Sequence, residues 1–211
     1  MEIAQFTFNA FQENTYILYD DTLECLIIDP GCSNKDEENQ LENFVASKRL
    51  KPVKLINTHC HIDHVLGNRF VQEKYNLPLA SHKDEQPVLD ANIMVAKMYG
   101  LHYTPSPDIE IYLDEPGTID FGHTSLDILF TPGHSPASIS FFHKGSLQLI
   151  AGDVLFKGSI GRTDLPGGDF DTLIDSIKSK YYPLGDDVRV YPGHGPSTSI
   201  IEEKIRNPFL K

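Results

Sequence analysis

The stretch Thr58-His59-Cys60-His61-Ile62-Asp63-His64 places four side chains that can bind a metal ion within six residues. Residues 51–57, just before it, are short, partly β-branched and alternate apolar with polar side chains, which predicts a strand. Residues 65–75, just after it, carry apolar side chains at helical spacing. The stretch is therefore expected to lie between a strand and a helix, where rigid elements can hold a site in place.

The spacing within this stretch suits metal binding. In an extended segment alternate side chains point to the same side, so His59 and His61 can chelate one ion together. Asp63 and His64 come just past the strand and point to a second position nearby. Imidazole and carboxylate groups suit zinc, and also iron or manganese. The alternative is a set of unrelated surface histidines with Asp63 capping the next helix; the tight grouping favours the metal site.

Length and composition favour one globular domain. The chain has 211 residues, enough for a sizeable core, and the expected domain is residues 1–211. Hydrophobic residues make up 40% of it, as in a folded protein. The net charge of −12 argues against a nucleic acid or an anionic membrane as partner, because phosphate contacts need Lys and Arg.

The three cysteines do not form a disulfide framework. Cys25, Cys32 and Cys60 are odd in number and have no regular spacing. The first residues show no basic segment followed by an apolar run, so no signal peptide is expected. No apolar run is long enough to span a bilayer. The expected location is the cytoplasm, where thiols stay reduced.

Strands and helices are predicted along the whole chain. The predicted strands are 3–8, 15–19, 23–29, 51–57, 79–81, 109–113, 118–121, 126–130, 138–143, 147–151 and 188–191. The predicted helices are 36–49, 65–75, 84–101, 172–180 and 197–207. Two points stay open at this level. The helix at 84–101 carries Met and Tyr side chains and is either packed in the core or a flap over a substrate. Asp29, which follows an apolar strand, is either an acceptor beside the site or a turn-former.

Three later residues share the context of the opening stretch. His134, Asp153 and His194 each follow an apolar strand and are flanked by Gly, which lets backbone and side chain approach an ion closely. Together they supply what two ions would still need. One ion would be held by His59, His61 and His134, the other by Asp63, His64 and His194, with Asp153 bridging them and an open position left on each ion. The other histidines lie outside this pattern: His82, His102, His123 and His143.

The order His-x-His-x-Asp-His, then His, Asp and His, resembles the metallo-β-lactamase superfamily over nearly the whole chain. This resemblance implies an α/β fold, a four-layer αβ/βα sandwich with the site at one edge of two packed sheets. Residues 14–16, 28–31, 131–135 and 151–156 look like glyoxalase II (hydroxyacylglutathione hydrolase), and residues 158–169 look like its short, single-domain bacterial branch. Asp153 argues against true β-lactamases, which lack the bridging carboxylate.

The resemblance to glyoxalase II implies a dinuclear, metal-dependent hydrolase. Its substrate would be a small-molecule thioester such as S-2-hydroxyacylglutathione, attacked by a metal-bridging hydroxide. Asp63 would orient the hydroxide and accept its proton, and Arg162 would grip a substrate carboxylate. The two divalent ions would be zinc, with iron or manganese as alternatives. The chain departs from full-length glyoxalase II in two ways. It stops at Lys211, before the helical domain that holds glutathione, and Asp164 and Pro196 stand where that enzyme has tyrosines.

Other functions remain as alternatives. A persulfide dioxygenase, which resembles this chain in residues 161–164, uses one iron held by two histidines and one aspartate. Another ester hydrolase of the same fold, or a binding module without activity, would also fit part of the pattern. The seven metal-competent residues favour the two-metal hydrolase, whereas native substrate and oligomeric state are not predicted.

Overall fold

Two six-stranded sheets organise the chain, and the computed structural model describes residues 1–211. The contacts within the chain define two units. The first unit contains residues 1–112 and 120–124, and the second contains residues 113–119 and 125–211. The expected single domain over 1–211 stays a prediction.

The first unit carries one sheet with strands in the order β1-β2-β3-β4-β5-β6. Its strands are β1 (Glu2–Phe8), β2 (Glu13–Tyr19), β3 (Glu24–Ile28), β4 (Lys51–Ile56), β5 (Leu79–Ser81) and β6 (Ile109–Tyr112). Its helices are α1 (Lys35–Lys48), α2 (Ile62–Val65), α3 (Asn68–Tyr75) and α4 (Gln86–Tyr99). Strands β1 to β3 are antiparallel, whereas β3 to β6 are parallel. The residues that follow β3 and β4 therefore leave the sheet at the same edge.

Local signals account for these elements. Four of the five residues of β3 are apolar and buried, the composition expected of a parallel strand covered on both faces. Helix α1 begins because the Asn34 side chain accepts hydrogen bonds from two backbone N–H groups of the first turn, and it ends at Arg49 in the left-handed conformation. Leu41 and Val45 of α1 pack with Ile27 of the sheet in the apolar core of this unit.

The second sheet, most of whose residues belong to the second unit, has the strand order β14-β13-β10-β9-β8-β7. Its strands are β7 (Gly117–Phe121), β8 (Thr124–Phe130), β9 (Ile139–His143), β10 (Gln148–Gly152), β13 (Arg189–Pro192) and β14 (Thr198–Ser199). A separate pair comprises β11 (Leu155–Phe156) and β12 (Ser159–Ile160), and the helices are α5 (Phe170–Ser176) and α6 (Ile200–Arg206). Strand β9 is antiparallel to both β8 and β10, and β10 is parallel to β13. Strands β8, β10 and β13 therefore run in the same direction.

The helix expected at 65–75 begins three residues late, and a separate short helix precedes it. Helix α2 begins at Ile62, the chain turns at Gly67, and α3 starts at Asn68. The Gly67 N–H donates to the Pro30 carbonyl at 2.7 Å, and a Cβ at this position would collide with Cys32 and Pro30. This close approach between two loops interrupts a pattern that looks continuous in the sequence.

The helix expected at 172–180 starts two residues earlier and changes form before its end. The Asp169 side chain accepts a hydrogen bond from the Thr172 N–H, so α5 begins at Phe170. After Ser176 the chain continues as a π-helical turn, Ile177–Tyr181. This turn buries the Tyr181 hydroxyl, which lies 2.6 Å from the Ser140 hydroxyl.

Helix α4 corresponds to the segment expected at 84–101, preceded by a 3-10 turn at Lys83–Glu85. Leu89, Asn92 and Ala96 face the interior. Met98 is 81% exposed and Met94 is 61% exposed, so these methionines are not core residues. A role for this helix as a substrate flap stays a prediction. None of the helices has both the length and the apolar character needed to cross a membrane.

Candidate metal centre

The histidine pair of the opening stretch lies in the ligand loop, residues 57–61, directly after β4. The His59 and His61 rings are 4.9 Å apart between centroids and nearly perpendicular. His59 is fully buried and His61 is partly exposed. Imidazoles at this distance can offer nitrogen atoms to a common ion, as the alternation in the sequence predicted.

Asp63 and His64 were expected in the turn before a helix, but they lie inside one. They occupy the first turn of α2, where a carboxylate is favoured by the helix dipole. The His64 ring is 4.1 Å from that of His59 between centroids, and its Nε2 is 3.7 Å from a carboxylate oxygen of Asp63. The helical turn thus folds Asp63 and His64 back beside the ligand loop.

Asp29 both forms a turn and serves as an acceptor beside the site. Its backbone has φ +49°, a left-handed conformation that Asp tolerates. Its carboxylate accepts from the Thr58 N–H at 2.7 Å and from the Thr58 hydroxyl at 2.6 Å, and it lies 3.2 Å from His64 Nδ1. With His64 Nδ1 donating to Asp29, Nε2 is the nitrogen that can bind a metal. Asp29 is 1% exposed, so this contact is shielded from water.

Two further residues around these ligands were not identified from the sequence. Asn9 donates from its side-chain amide to the carbonyls of Gly31 and Asp63, at 2.9 and 3.0 Å. Glu13 is fully buried, with one carboxyl oxygen 3.8 Å from His64 Nδ1. Burial raises the pKa of Glu13 well above its usual range, opposed by the His64 charge. Neither residue gave a signal in the sequence, because Glu13 precedes the strand predicted at 15–19 and Asn9 follows the strand predicted at 3–8.

In the second unit two predicted histidine ligands lie beside the carboxylate of a third predicted ligand. Asp153 Oδ2 lies 3.5 Å from His134 Nε2 and 3.4 Å from His194 Nε2. The strand directions explain this, because β8, β10 and β13 run in parallel and these residues follow their carboxyl ends. A carboxylate beside two imidazoles offers the oxygen and nitrogen donors that divalent metal ions prefer.

The loop after β12 orients the His134 ring through its Nδ1 atom, whereas Asp153 lies near the Nε2 atom. The Arg162 carbonyl is 2.7 Å from His134 Nδ1, so Nδ1 donates and Nε2 faces Asp153. Gly161 makes this approach possible, since a Cβ there would overlap the Asp153 carbonyl and come within 3.1 Å of His134 Nδ1. The segment singled out for Arg162 therefore acts on His134 through its backbone.

The Arg162 side chain points into a surface ion pair. Its guanidinium makes two hydrogen bonds to the Asp164 carboxylate, at 2.7 and 2.8 Å. The hydrogen bonds from Arg162 lower the pKa of Asp164 to about 2. Arg162 is more than half exposed, so an anion from solvent can reach it in competition with Asp164.

The donor chemistry of both units fits divalent metal ions. Each unit offers imidazole nitrogens next to carboxylate oxygens, the donors preferred by zinc and iron. In each unit a histidine is also backed by an acceptor at Nδ1, Asp29 for His64 and the Arg162 carbonyl for His134. Such backing is typical of metal-binding histidines, because it fixes the ring and its tautomer. The set of His and Asp residues therefore implies divalent metal ions.

Comparison with curated proteins gives relatives over the full chain. It is 39% identical over 201 residues to the probable metallo-hydrolase YqgX of Bacillus subtilis, covering 94% of this chain and 92% of that protein. It is 34% identical over 217 residues to the hydroxyacylglutathione hydrolase GloC of Haemophilus influenzae, covering 100% of this chain and 98% of that protein.

Solved structures with the same fold include BLEG-1, a B3 metallo-β-lactamase, with a TM-score of 0.91, 34% identity and coverage of 100% of both chains. TTHA1623 in a di-iron-bound form has a TM-score of 0.87 and 34% identity, covering 98% of this chain and 100% of that one. The predicted fold class, an α/β protein of the metallo-β-lactamase fold, is confirmed. The metallo-beta-lactamase superfamily model matches residues 8–194, and the chain belongs to that superfamily.

Proposed function

We propose that this protein is a dinuclear metal-dependent hydrolase of small-molecule thioesters, with S-2-hydroxyacylglutathione as the model substrate. The observation that carries the proposal is the position of Asp153, with one carboxylate oxygen within 3.5 Å of His134 and His194. His134 and His194 are proposed ligands of different ions, so a carboxylate beside both suits a ligand that the two ions share. The proposed ligands are His59, His61 and His134 for one ion, Asp63, His64 and His194 for the other, and Asp153 for both.

Divalent ions at such a site lower the pKa of water and polarise a carbonyl group. The protein residues supply the geometry. Asp63, held at the start of α2 and anchored through its carbonyl by Asn9, would orient the attacking water and accept its proton. Asp29 and the Arg162 carbonyl would keep the Nε2 atoms of His64 and His134 directed at the ions. A thiolate leaves readily, so a strong general acid is not required.

The similarity to GloC supports a thioester as the substrate. Arg162 is the proposed contact for a carboxylate on that substrate, because its guanidinium is accessible and already binds a carboxylate in Asp164. Zinc is the proposed ion. The di-iron-bound relative makes iron the first alternative to examine, since metal choice also depends on supply.

The test combines metal analysis with a thioester hydrolysis assay on the purified protein. About two equivalents of metal and hydrolysis of S-lactoylglutathione are expected. Asp63→Ala should lower kcat by roughly 10²–10⁴-fold, the range for loss of an acid–base group. His134→Ala removes a metal ligand and should abolish turnover. Both variants should retain the fold by circular dichroism. His123→Ala, at an exposed histidine, is the control and should keep full activity.

Other outcomes would point to other functions. Retained hydrolysis in both Asp63→Ala and His134→Ala would defeat the proposed ligand roles. One equivalent of iron, with oxygen consumption on glutathione persulfide, would indicate a persulfide dioxygenase. Because BLEG-1 is described as a metallo-β-lactamase, a β-lactam belongs in the same assay, and its hydrolysis in preference to the thioester would replace the proposal.

A further inference from the structure

Two buried polar side chains form hydrogen bonds with the backbone of Cys60, the residue between His59 and His61. The Glu85 carboxylate accepts a hydrogen bond from the Cys60 N–H at 2.9 Å. The Asn92 amide donates to the Cys60 carbonyl at 2.9 Å. Glu85 and Cys60 are fully buried and Asn92 is 2% exposed.

These two bonds act on both histidines because of peptide geometry. The Cys60 N–H belongs to the planar peptide that joins it to His59, and the Cys60 carbonyl belongs to the peptide that joins it to His61. Fixing both planes fixes φ and ψ of Cys60, and with them the relative positions of the His59 and His61 Cα atoms that carry the two imidazoles. The two hydrogen bonds to Cys60 therefore also position His59 and His61.

The two residues reach Cys60 from one helical face. Glu85 ends the 3-10 turn that leads into α4, and Asn92 lies seven residues later, two turns along the same face. Leu89 and Ala96 of that face are buried apolar residues. Glu85 and Asn92 thus take positions that an amphipathic helix normally fills with apolar side chains.

Burying the Glu85 carboxylate and the Asn92 amide costs free energy, because both groups lose their hydration. A carboxylate and an amide removed from water are tolerated only where hydrogen bonds replace the lost hydration. Leucine at either position would match the apolar neighbours. We infer that Glu85 and Asn92 are positioning residues, which hold the His59–Cys60–His61 backbone in the conformation that lets both imidazoles bind one ion.

The test measures the two Zn²⁺ affinities by competition with a chromophoric chelator, in the full chain. Glu85→Leu and Asn92→Leu should each lower the affinity of one of the two sites for Zn²⁺ by about 10- to 100-fold. This is the range for residues that support metal ligands. Glu85→Gln keeps an acceptor oxygen for the Cys60 N–H and should bind Zn²⁺ within a few-fold of the wild type. This rescue is not expected if the charge of Glu85, rather than its hydrogen bond, is what matters.

A substitution at a buried residue elsewhere in the same unit shows whether a loss of Zn²⁺ affinity comes from lost positioning of the histidines or from a general loss of stability. Leu41→Ala removes core packing in α1 and should lower the melting temperature without changing either Zn²⁺ affinity. The inference is overturned if Glu85→Leu binds both ions like the wild type, if Glu85→Gln is as impaired as Glu85→Leu, or if Leu41→Ala is equally impaired. Because the inference rests on the proposed function, the wild type is measured first: failure to bind Zn²⁺ there would reject the metal centre itself.

Discussion

The proposed ligands are single side chains, but their orientation depends on the hydrogen-bond acceptors behind them. Asp29 contacts both Thr58 and His64, and the Thr58 hydroxyl in turn lies 3.1 Å from His59 Nδ1. One buried carboxylate thus influences two imidazoles from different parts of the stretch. Such acceptors set the tautomer of each ring, and with it the nitrogen that is available to an ion.

The pair Arg162 and Asp164 gives a prediction for substrate binding. Removing the guanidinium with Arg162→Ala should raise KM for an anionic thioester about tenfold, or ~1.4 kcal/mol, with kcat little changed. Asp164→Asn should lower KM, because it removes a competing carboxylate from Arg162. Steady-state kinetics with an anionic and an uncharged thioester measures both effects. The assignment of Arg162 is wrong if the two substrates respond alike.

The same pair predicts no pH effect on this step in the neutral range. Since the pKa of Asp164 is lowered to about 2 by Arg162, the carboxylate stays charged throughout ordinary assay conditions. A change in KM near neutral pH must therefore come from other groups.

Among the elements, the shared direction of neighbouring strands places the candidate ligands. In the first unit Asp29 and the ligand loop follow the parallel strands β3 and β4, and in the second His134, Asp153 and His194 follow β8, β10 and β13. Functional residues commonly lie at the carboxyl ends of parallel strands, because the loops there leave the sheet together. Close loop approaches, as at Gly161, complete each arrangement.

A methyl group at Gly161 tests the approach of the loop after β12. Gly161→Ala should push that loop away from the Asp153 carbonyl and His134, lowering Zn²⁺ affinity by about 10- to 100-fold. Gly158→Ala is the matched control, because Gly158 lies in the nearby turn between β11 and β12, with φ +70° and open space around a Cβ. It should lose stability from backbone strain of ~1–2 kcal/mol while keeping Zn²⁺ affinity. Equal Zn²⁺ losses in both variants would contradict this explanation.

The turn between β2 and β3 gives a prediction about acid stability. Burial pushes the pKa of Asp20 up, but hydrogen bonds from the Thr22 hydroxyl, the backbone N–H of His123 and others outweigh it and lower the pKa to about 2. A lowered pKa in the folded state stabilises the fold above the unfolded pKa of about 4. That stabilisation is lost as the pH falls from about 4 to about 2.

Asp20→Asn should therefore have a lower melting temperature than the wild type at pH 6, and the difference should shrink towards pH 2. Thermal unfolding at several pH values measures it. Asp21→Asn, at an exposed neighbour that pairs with His123, should show a much smaller difference. A constant gap between Asp20→Asn and the wild type at every pH would contradict the role given to the charge.

For the molecule as a whole, metal binding should contribute to stability. Ions that bind only the folded protein at 100 times their Kd add ~2.7 kcal/mol per site, or about 5–10 °C for a chain of this length. EDTA treatment should lower the melting temperature of the loaded protein by at least this amount, and Zn²⁺ should restore it. An unchanged melting temperature in a protein shown to lose its metal would exclude this coupling.

Much of the chain was predictable because the relevant signals are local. Strand and helix periods act over a few residues, so most predicted elements are present within a few residues of their expected bounds. The alternation of His59 and His61 likewise follows from the direction of neighbouring side chains. Errors arose where two loops approach each other, as at Gly67, where the chain turns between α2 and α3 and the expected helix begins late.

The sequence therefore identified the metal-competent side chains and the family, since motif spacing is written along the chain. It did not identify the partners that orient those side chains. Asn9 lies 54 positions from Asp63, and Glu85 lies 25 positions from Cys60, and no periodicity links residues so far apart. Those contacts arise when helix α4 and the β1–β2 turn dock beside the ligand loop, because burial then requires each polar group to find a hydrogen-bond partner.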